Sequence, residues 1–497
     1  MKLTTIDTGY LTLVILSAIG LVIMYVETMV APALTDFIKD FNISYNTVSW
    51  ILTAYLLVAL IMTPVMGKLS DMYGRKRVLL AGLLIYAVGT LAAGFATNIY
   101  FMLVARAVQG LGIGIFPIAV AIVRNQSPEK RLAFNQGIIT SMFASGAVIG
   151  LAAGGTVIHY FGWRATFFSI LPVVILLIIL VIRFIGEDSR EYRDYGSSRK
   201  EYRDYGSKWT KSSLSNSKLD IKGALLFSLG IVSILLMITN LHVKFSPINS
   251  VVIIGLSVTA IISLWIFVYI ERRAKSPLVD FELVMNKVLF FANVLRMMAG
   301  LFMFAILNAI PILIRNPKPV GFGEGAINTA SIIIPFMAAY LTIGLSSGPI
   351  ISKLGNTRVT LIGSIVSAIG FITLLLFFHS LGLLLISLAI LGAGSQLLHQ
   401  GAVNINLVST PKNQTAISFG ISNVFYLMGS SIGPTLVGMY MQSNQISING
   451  IIGSFPSSQA YTMIFYTGIL LSIIAILVDM IVMKEIRSNS NNQEVRA

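Results

Sequence analysis

Long apolar blocks separated by short polar segments run the whole length of the chain. LVILSAIGLVIMYV, ILTAYLLVALIMTPVMG and MIFYTGILLSIIAILVDMIVM are three of them, each near the roughly 20 residues that a helix needs to cross a bilayer. Hydrophobic windows predict spans over 9–35, 46–67, 79–97, 100–123, 133–157, 165–185, 222–241, 250–270, 288–314, 327–351, 359–378, 381–407, 415–441 and 460–483. The expected fold is an all-α polytopic membrane protein with 14 transmembrane helices. An even number of crossings returns both termini to one side.

Composition supports the same class. Of 497 residues, 56% are hydrophobic and 11% charged, against about a quarter charged in soluble domains. The first block is too long, and lacks the small-residue cleavage site, to be a removed signal peptide; it reads as the first membrane helix. With no cysteine in the chain, disulfides, thiolate metal sites and a thiol nucleophile are excluded. There is no P-loop, no metal-spaced His/Cys cluster and no nucleophile motif. The chain is therefore expected to be no enzyme, to carry no cofactor or metal, and to draw on an ion gradient.

A net charge of +15 raises the question of a nucleic-acid partner, and the positions of the charges answer it. Of the 35 Lys and Arg residues, 28 fall on one side of the predicted membrane, 5 on the other and 2 within spans. The rich side, with Lys68, Arg75, Lys76, Arg77, Arg124, Lys130 and Arg131 among others, is cytoplasmic by the positive-inside rule. The expectation is a multi-pass protein of the cell membrane with both termini cytoplasmic, in contact with lipid and not with nucleic acid.

The stretch 186–221 holds REYRDYGS and, ten residues on, KEYRDYGS, followed by a Ser- and Lys-rich run. So few apolar residues predict a flexible cytoplasmic linker; the duplicated motif also admits a docking or regulatory role.

The two halves are related. GKLSDMYGRKRV (67–78) aligns with GPIISKLGNTRV (348–359), pairing Gly67 with Gly348, Gly74 with Gly355 and Arg77 with Arg358, each 281 positions apart. Gly146 and Gly150 pair with Gly429 and Gly433 at a separation of 283. A duplicated chain of this kind places a substrate site near the midplane, between halves that rock about it. The expected division is a six-helix half over 1–185, the linker over 186–221, two inserted helices and a loop over 222–287, a second six-helix half over 288–484, and a cytoplasmic tail over 485–497.

Four segments resemble the major facilitator superfamily, and specifically its fourteen-helix drug:proton antiporter subfamily, over essentially the whole chain. Gly67, Asp71, Gly74, Arg75 and Arg77 match the signature loop between helices 2 and 3. Arg106, Gln109 and Gly110 in LVARAVQGLGIGI match the membrane-embedded Arg/Gln-Gly motif of proton-coupled members. Gly146, Gly150, Gly154 and Gly155 match the helix-5 antiporter motif, with Leu151 in place of its proline. YVETMVAPAL resembles the acidic helix-1 motif, with Glu27 where aspartate is usual. The resemblance implies proton-coupled antiport that exports amphipathic or cationic organic compounds by alternating access, with a monomeric protein as the working unit.

An ionisable side chain inside a span is a functional candidate by default. Among the acids only Glu27 falls well inside a predicted span, whereas Asp479 lies near the cytoplasmic end of the last one, where it is expected to reach the interface. Glu27 is the candidate proton-coupling carboxylate, the alternative being a structural hydrogen bond. Arg106 cannot deprotonate and either modulates Glu27 or snorkels to the headgroups; Arg296, without a motif, reads as snorkelling. Gly67, Asp71, Gly74, Arg75 and Arg77 read as a cytoplasmic gate, in which the glycines allow tight turns. Gly146, Gly150, Gly154, Gly155, Gly429 and Gly433 read as close helix packing.

Polar residues expected in the substrate cavity are Gln109, Asn308, Gln396, His399, Gln400 and Asn404; helical spacing puts Gln396, His399 and Gln400 on one face. His399 is either a hydrogen-bonding group or a second titrating one. Tyr25 and Tyr55 are candidates to offer aromatic surface, with packing as the alternative. Two rival functions remain at this level: a proton symporter or facilitator for a small metabolite, and a transporter-like sensor or scaffold without flux.

Overall fold

The computed structural model describes residues 5–126, 129–186, 221–241, 247–274, 281–410, 415–451 and 453–494. The duplicated REYRDYGS/KEYRDYGS motif lies outside the described residues.

The first half comprises α1 (Thr5–Met29), a 3-10 turn (Ala31–Ala33), α2 (Leu34–Phe41), α3 (Tyr45–Tyr73), α4 (Arg75–Gly94), α5 (Ile99–Ile113), α6 (Phe116–Gln126), α7 (Glu129–Phe161) and α8 (Trp163–Phe184). After it come α9 (Ile221–Asn240), α10 (Pro247–Glu271) and the short α11 (Phe281–Met285). The second half is α12 (Lys287–Arg315), α13 (Ala326–Leu354), α14 (Asn356–Phe377), α15 (Leu381–Ser409), α16 (Thr415–Ser443) and α17 (Ser458–Glu494), with a small hairpin of β1 (Gln445–Ser447) and β2 (Ser454–Pro456) before the last helix.

Twelve helical stretches among the described residues are long and apolar enough to cross a membrane. The expected spans in α7 and α16 are not among them. Both helices are nonetheless long, at 33 and 29 residues, or about 50 and 44 Å at 1.5 Å per residue. The lipid-facing perimeter is apolar: Leu84, Val88 and Leu91 of α4 and Val251, Ile254, Ile261 and Trp265 of α10 are all exposed. Side chains of this kind on the outside and Gly82, Gly89 and Thr90 on the inside reverse the pattern of a soluble helix.

Two expected spans are interrupted. The first, expected over 9–35, ends its α-helix at Met29 and turns through Ala31–Ala33 into α2; Pro32, with no N–H, favours the break. The fourth divides between α5 and α6 at Gly114, where a Cβ would lie 3.0 Å from the Met62 carbonyl of α3. Elsewhere the starts follow local rules. Asn98 accepts from the Phe101 N–H at 2.9 Å and Asn286 from the Val288 N–H at 3.1 Å, each an N-cap.

The duplication is visible as repeated packing. In the first half α7 lies directly on α1: a Cβ on Gly146, Gly150 or Gly154 would run into the backbone of Leu21, Tyr25 or Met29. In the second half α16 lies on α12 in the same way, with Gly429 and Gly433 against the backbone of Met297, Leu301 and Ala305. Gly89 admits the backbone of Gln109 between α4 and α5, as Gly370 admits Leu391 between α14 and α15. Such approaches gain dispersion contact where lipid supplies no hydrophobic drive between helices. The α9–α10 hairpin sits outside this core, with α9 beside α3 and α16.

Long helices run between two faces, on one of which Tyr45 at the start of α3 and Tyr461 at the start of α17 meet Asn316 just after α12. That face carries the β hairpin and is called the hairpin face; the other carries the glycine turns at Gly74 and Gly355 (φ +95° and +82°) and is called the turn face. Gly67, expected in a tight turn, lies inside α3 instead, with open space around it.

Candidate functional site

On the hairpin face the two halves are locked together. Arg315, in the last turn of α12, donates through Nη2 to Asp36 Oδ1 of α2 at 2.7 Å and through Nη1 to Asp36 Oδ2 and to the Pro32 carbonyl, the latter at 2.8 Å. Asn308 Nδ2 of α12 donates to Ser49 Oγ of α3 at 3.0 Å. Thr53 of α3 meets Thr435 of α16 at 3.2 Å. Gly438 of α16 leaves room for Ser49, and Gly155 of α7 seats Ala326 and Ala330 of α13.

Toward the turn face an open cleft lies between the halves, with about 790 Å³ of empty space including the solvent at its mouth. Met24 of α1, Phe116 of α6 and Ala147 of α7 line it from the first half. The second half supplies Arg296 and Met303 of α12, Tyr340 of α13, Gln396, His399 and Gln400 of α15, and Phe419, Asn423 and Tyr426 of α16. Arg296 is the one charged side chain among the described lining residues.

The expectation that Arg296 snorkels to the headgroups is overturned. It is 4% exposed, and Nη2 donates to Asn423 Oδ1 at 3.3 Å. Its guanidinium carbon sits 4.9 Å from the Phe419 ring centre and 5.7 Å from that of Tyr426, in the geometry of a cation–π contact. Nε and Nη1 have no hydrogen-bond partner among the described residues. Asp479 also departs from expectation: it is buried, accepting from Ser364 Oγ of α14 at 2.6 Å. Helix rotation, which hydropathy windows do not resolve, turns both residues inward.

Above the cavity lies a second polar cluster. Glu27 is buried on α1 and shares a helix face with Met24, three residues earlier, which lines the cavity. Arg106 is fully buried between α3, α4 and α5, which sets aside its snorkelling alternative. Its Nε donates to the Ile51 carbonyl at 3.0 Å, Nη1 donates to Gln109 Oε1 at 2.5 Å, and Gln109 Nε2 in turn donates to Thr90 Oγ1 at 2.8 Å. The guanidinium lies 4.1 Å over the Tyr55 ring. Glu27 and Arg106 interact electrostatically, and no ion pair joins Glu27 to a basic side chain among the described residues.

Of the residues expected in the cavity, Gln396, His399 and Gln400 line it. Tyr55 and Gln109 serve the Arg106 cluster instead. Asn308 belongs to the hairpin-face lock, Asn404 donates to the Gln400 carbonyl of its own helix at 2.9 Å, and Tyr25 lies where α1 meets Gly150. In the expected gate, Arg75 Nη1 donates to the Ala121 carbonyl at 3.4 Å and Lys76 Nζ to the Ile182 carbonyl at 3.0 Å. Both contacts stay within the first half. Arg77 opens α4 beside them; Asp71 is on α3, and its side chain lies outside the described atoms.

Sequence reading missed Asn423, Tyr426, Tyr340 and Phe419, the Asp36–Arg315 pair, and Pro434. The available signal for the first group was Arg296 itself, a charge inside an apolar run. Pro434 follows Gly433, at the position that the 283-residue offset pairs with Leu151. The proline missing from the first half therefore stands in the second.

Two helical halves with a lock on one face and a largely apolar cavity with a few polar groups toward the other fit a membrane transporter. The chain belongs to the Major Facilitator Superfamily, whose sequence model matches residues 16–335 and again 293–496. It is 25% identical over 445 residues to "Multidrug transporter protein MdtP" of Bacillus subtilis, covering 89% of this chain and 76% of that protein. It is 24% identical to "Multidrug resistance protein Stp" of Mycobacterium tuberculosis, covering 87% and 75%. The fold resembles the human organic anion transporter MFSD10 (TM-score 0.63, 12% identity, 95% of this chain and 99% of that one). It also resembles the xylose transporter XylE from E. coli in a partially occluded inward-open conformation (TM-score 0.59, 13% identity, 94% and 96%). The chain is thus a transporter of small molecules and not an enzyme, spanning the membrane many times.

Proposed function

We propose that this transporter is a proton-coupled antiporter that exports amphipathic organic compounds from the cytoplasm. The observation that carries the reading is the position of Glu27: a buried carboxyl beside a cavity between the halves, within the field of Arg106 but not paired with it. Desolvation favours the protonated form of a carboxyl and hydration the ionised form. An alternating cavity that changes the water around Glu27 would then bind a proton on one side and release it on the other. The multidrug names of its relatives support export of varied compounds. Arg296 in the lining disfavours a cation, so of the amphipathic or cationic compounds expected from the sequence the reading takes the amphipathic ones.

In this reading α7 and α16 complete fourteen spans, and the basic turn face is cytoplasmic with both termini. The structure then represents an inward-facing state with its outer gate shut. The halves are 1–185 and 288–484, joined through the linker 186–221 and the inserted pair within 222–287, before the tail 485–497. The protein works as a monomer among lipids.

The test is proton movement in proteoliposomes carrying an internal pH dye. Addition of a transported lipophilic dye should drive proton counterflow in the wild type and none in Glu27→Gln, with dye binding retained. Counterflow of normal size in that variant would remove Glu27 from the mechanism.

A further inference from the structure

Arg296 is a buried cation with two donors left over. Only Nη2 is bonded, to Asn423, while Nε and Nη1 find no acceptor among the described residues. Leaving such donors unmade in a low-dielectric site is costly, and no acid offsets the charge among the described lining residues. The surroundings are those of a binding site. Tyr426 lies between Arg296 and His399, with its ring centre 4.9 Å from the imidazole. His399 Nδ1 and Gln396 Oε1 are also buried without partners, and all of these residues line the same cavity. An imidazole and a primary amide can each donate or accept.

We propose that the cavity recognises its substrates through an oxyanion, a carboxylate or its equivalent, bound at the Arg296 guanidinium once a side-chain shift uncovers its unpartnered donors, with the apolar body against Tyr426 and Phe419. The inference rests on the transporter reading in taking this cavity as the substrate site. An oxyanion supplies two or more acceptors and the missing negative charge at once. A quaternary ammonium or amine would meet a like charge there. Hydrogen bonds to charged groups are the stronger ones, with an expected effect of roughly tenfold or more on affinity.

The experiment is equilibrium binding to the full chain in phosphatidylcholine nanodiscs, at one pH and with no gradient. The probes are 2-naphthoate, 2-naphthamide and the 2-naphthylmethylammonium cation, which share a ring system and differ in head group. Wild-type protein should bind naphthoate at least about tenfold more tightly than the other two. Arg296→Gln should lose that advantage while keeping its affinity for the amide, and Arg296→Lys should retain the order. Equal or tighter binding of the cation by wild type, or unchanged naphthoate binding in Arg296→Gln, overturns the proposal. Should Arg296→Gln fail to fold, the wild-type ranking decides alone. Repeating the titration in discs with phosphatidylglycerol separates the sources: competition there identifies a lipid phosphate as an occupant of the same oxyanion site, and its absence reserves the site for free solutes. Because no proton flux is read, this result and the Glu27→Gln result can fail independently.

Discussion

Arg315 and Asp36, 279 residues apart, form a two-pronged ion pair that ties the last turn of α12 to α2 across the boundary between the halves. Their side chains are 15% and 23% exposed, so water screens the pair only in part. Any state that opens the hairpin face must break it.

Asp36→Asn should therefore favour the state open on that face. Losing the charge from bonds of this kind costs about 2 kcal/mol, a shift of roughly 30-fold in the balance of the two states. Since the chain has no cysteine, a single Cys at Ser49 gives a clean reporter for a water-soluble maleimide. Labelling should be faster in the Asp36→Asn background; an unchanged rate would show that the pair does not hold the gate.

The glycine seams make a graded prediction. Gly150→Ala and Gly429→Ala place a methyl against the backbones of Tyr25 and Met297, and overpacking of this sort costs about 1–3 kcal/mol. Gly348→Ala enters open space within α13 and should be neutral or slightly stabilising, since Ala is the better helix former. Thermal unfolding in detergent should rank the two seam variants below wild type and Gly348→Ala at or above it.

Gly74 and Gly355 hold the two repeat-related turns at φ +95°, ψ 138° and φ +82°, ψ 155°, a region open to glycine and strained for other residues. Alanine at either position should lower stability by roughly 1–3 kcal/mol although neither site is crowded. A melting temperature unchanged in both variants would show that the turns relax without cost.

Gln109 links Arg106 to Thr90 and so joins α5 to α4. Gln109→Leu strips partners from a buried guanidinium nitrogen and a buried hydroxyl, with an expected loss of about 1–3 kcal/mol. Gln109→Glu keeps an acceptor for Arg106 and should recover much of it. Unfolding curves of the two variants compare these directly; equal losses would mean that the acceptor is unimportant.

Much of this molecule is written in one dimension. Apolar blocks of bilayer length specify helices because lipid offers backbone groups no partner, and the 281- and 283-residue offsets announce two halves. The stripe Gly146–Gly150–Gly154 specifies that another backbone comes close, and Glu27 stands out because charge is rare in such surroundings. What hydropathy could not supply was depth and rotation. Arg296 and Asp479 read as reaching the interface, yet packing turns both inward. Nor could the sequence say that Asn308 belongs to a lock with Ser49 while Gln396 and His399 face a cavity. Those contacts join residues from distant helices, and the angle at which helices pack decides which faces meet. The chain alone determined that there would be two related halves and a buried carboxyl. Only the tertiary structure placed a guanidinium with free donors in the space between them.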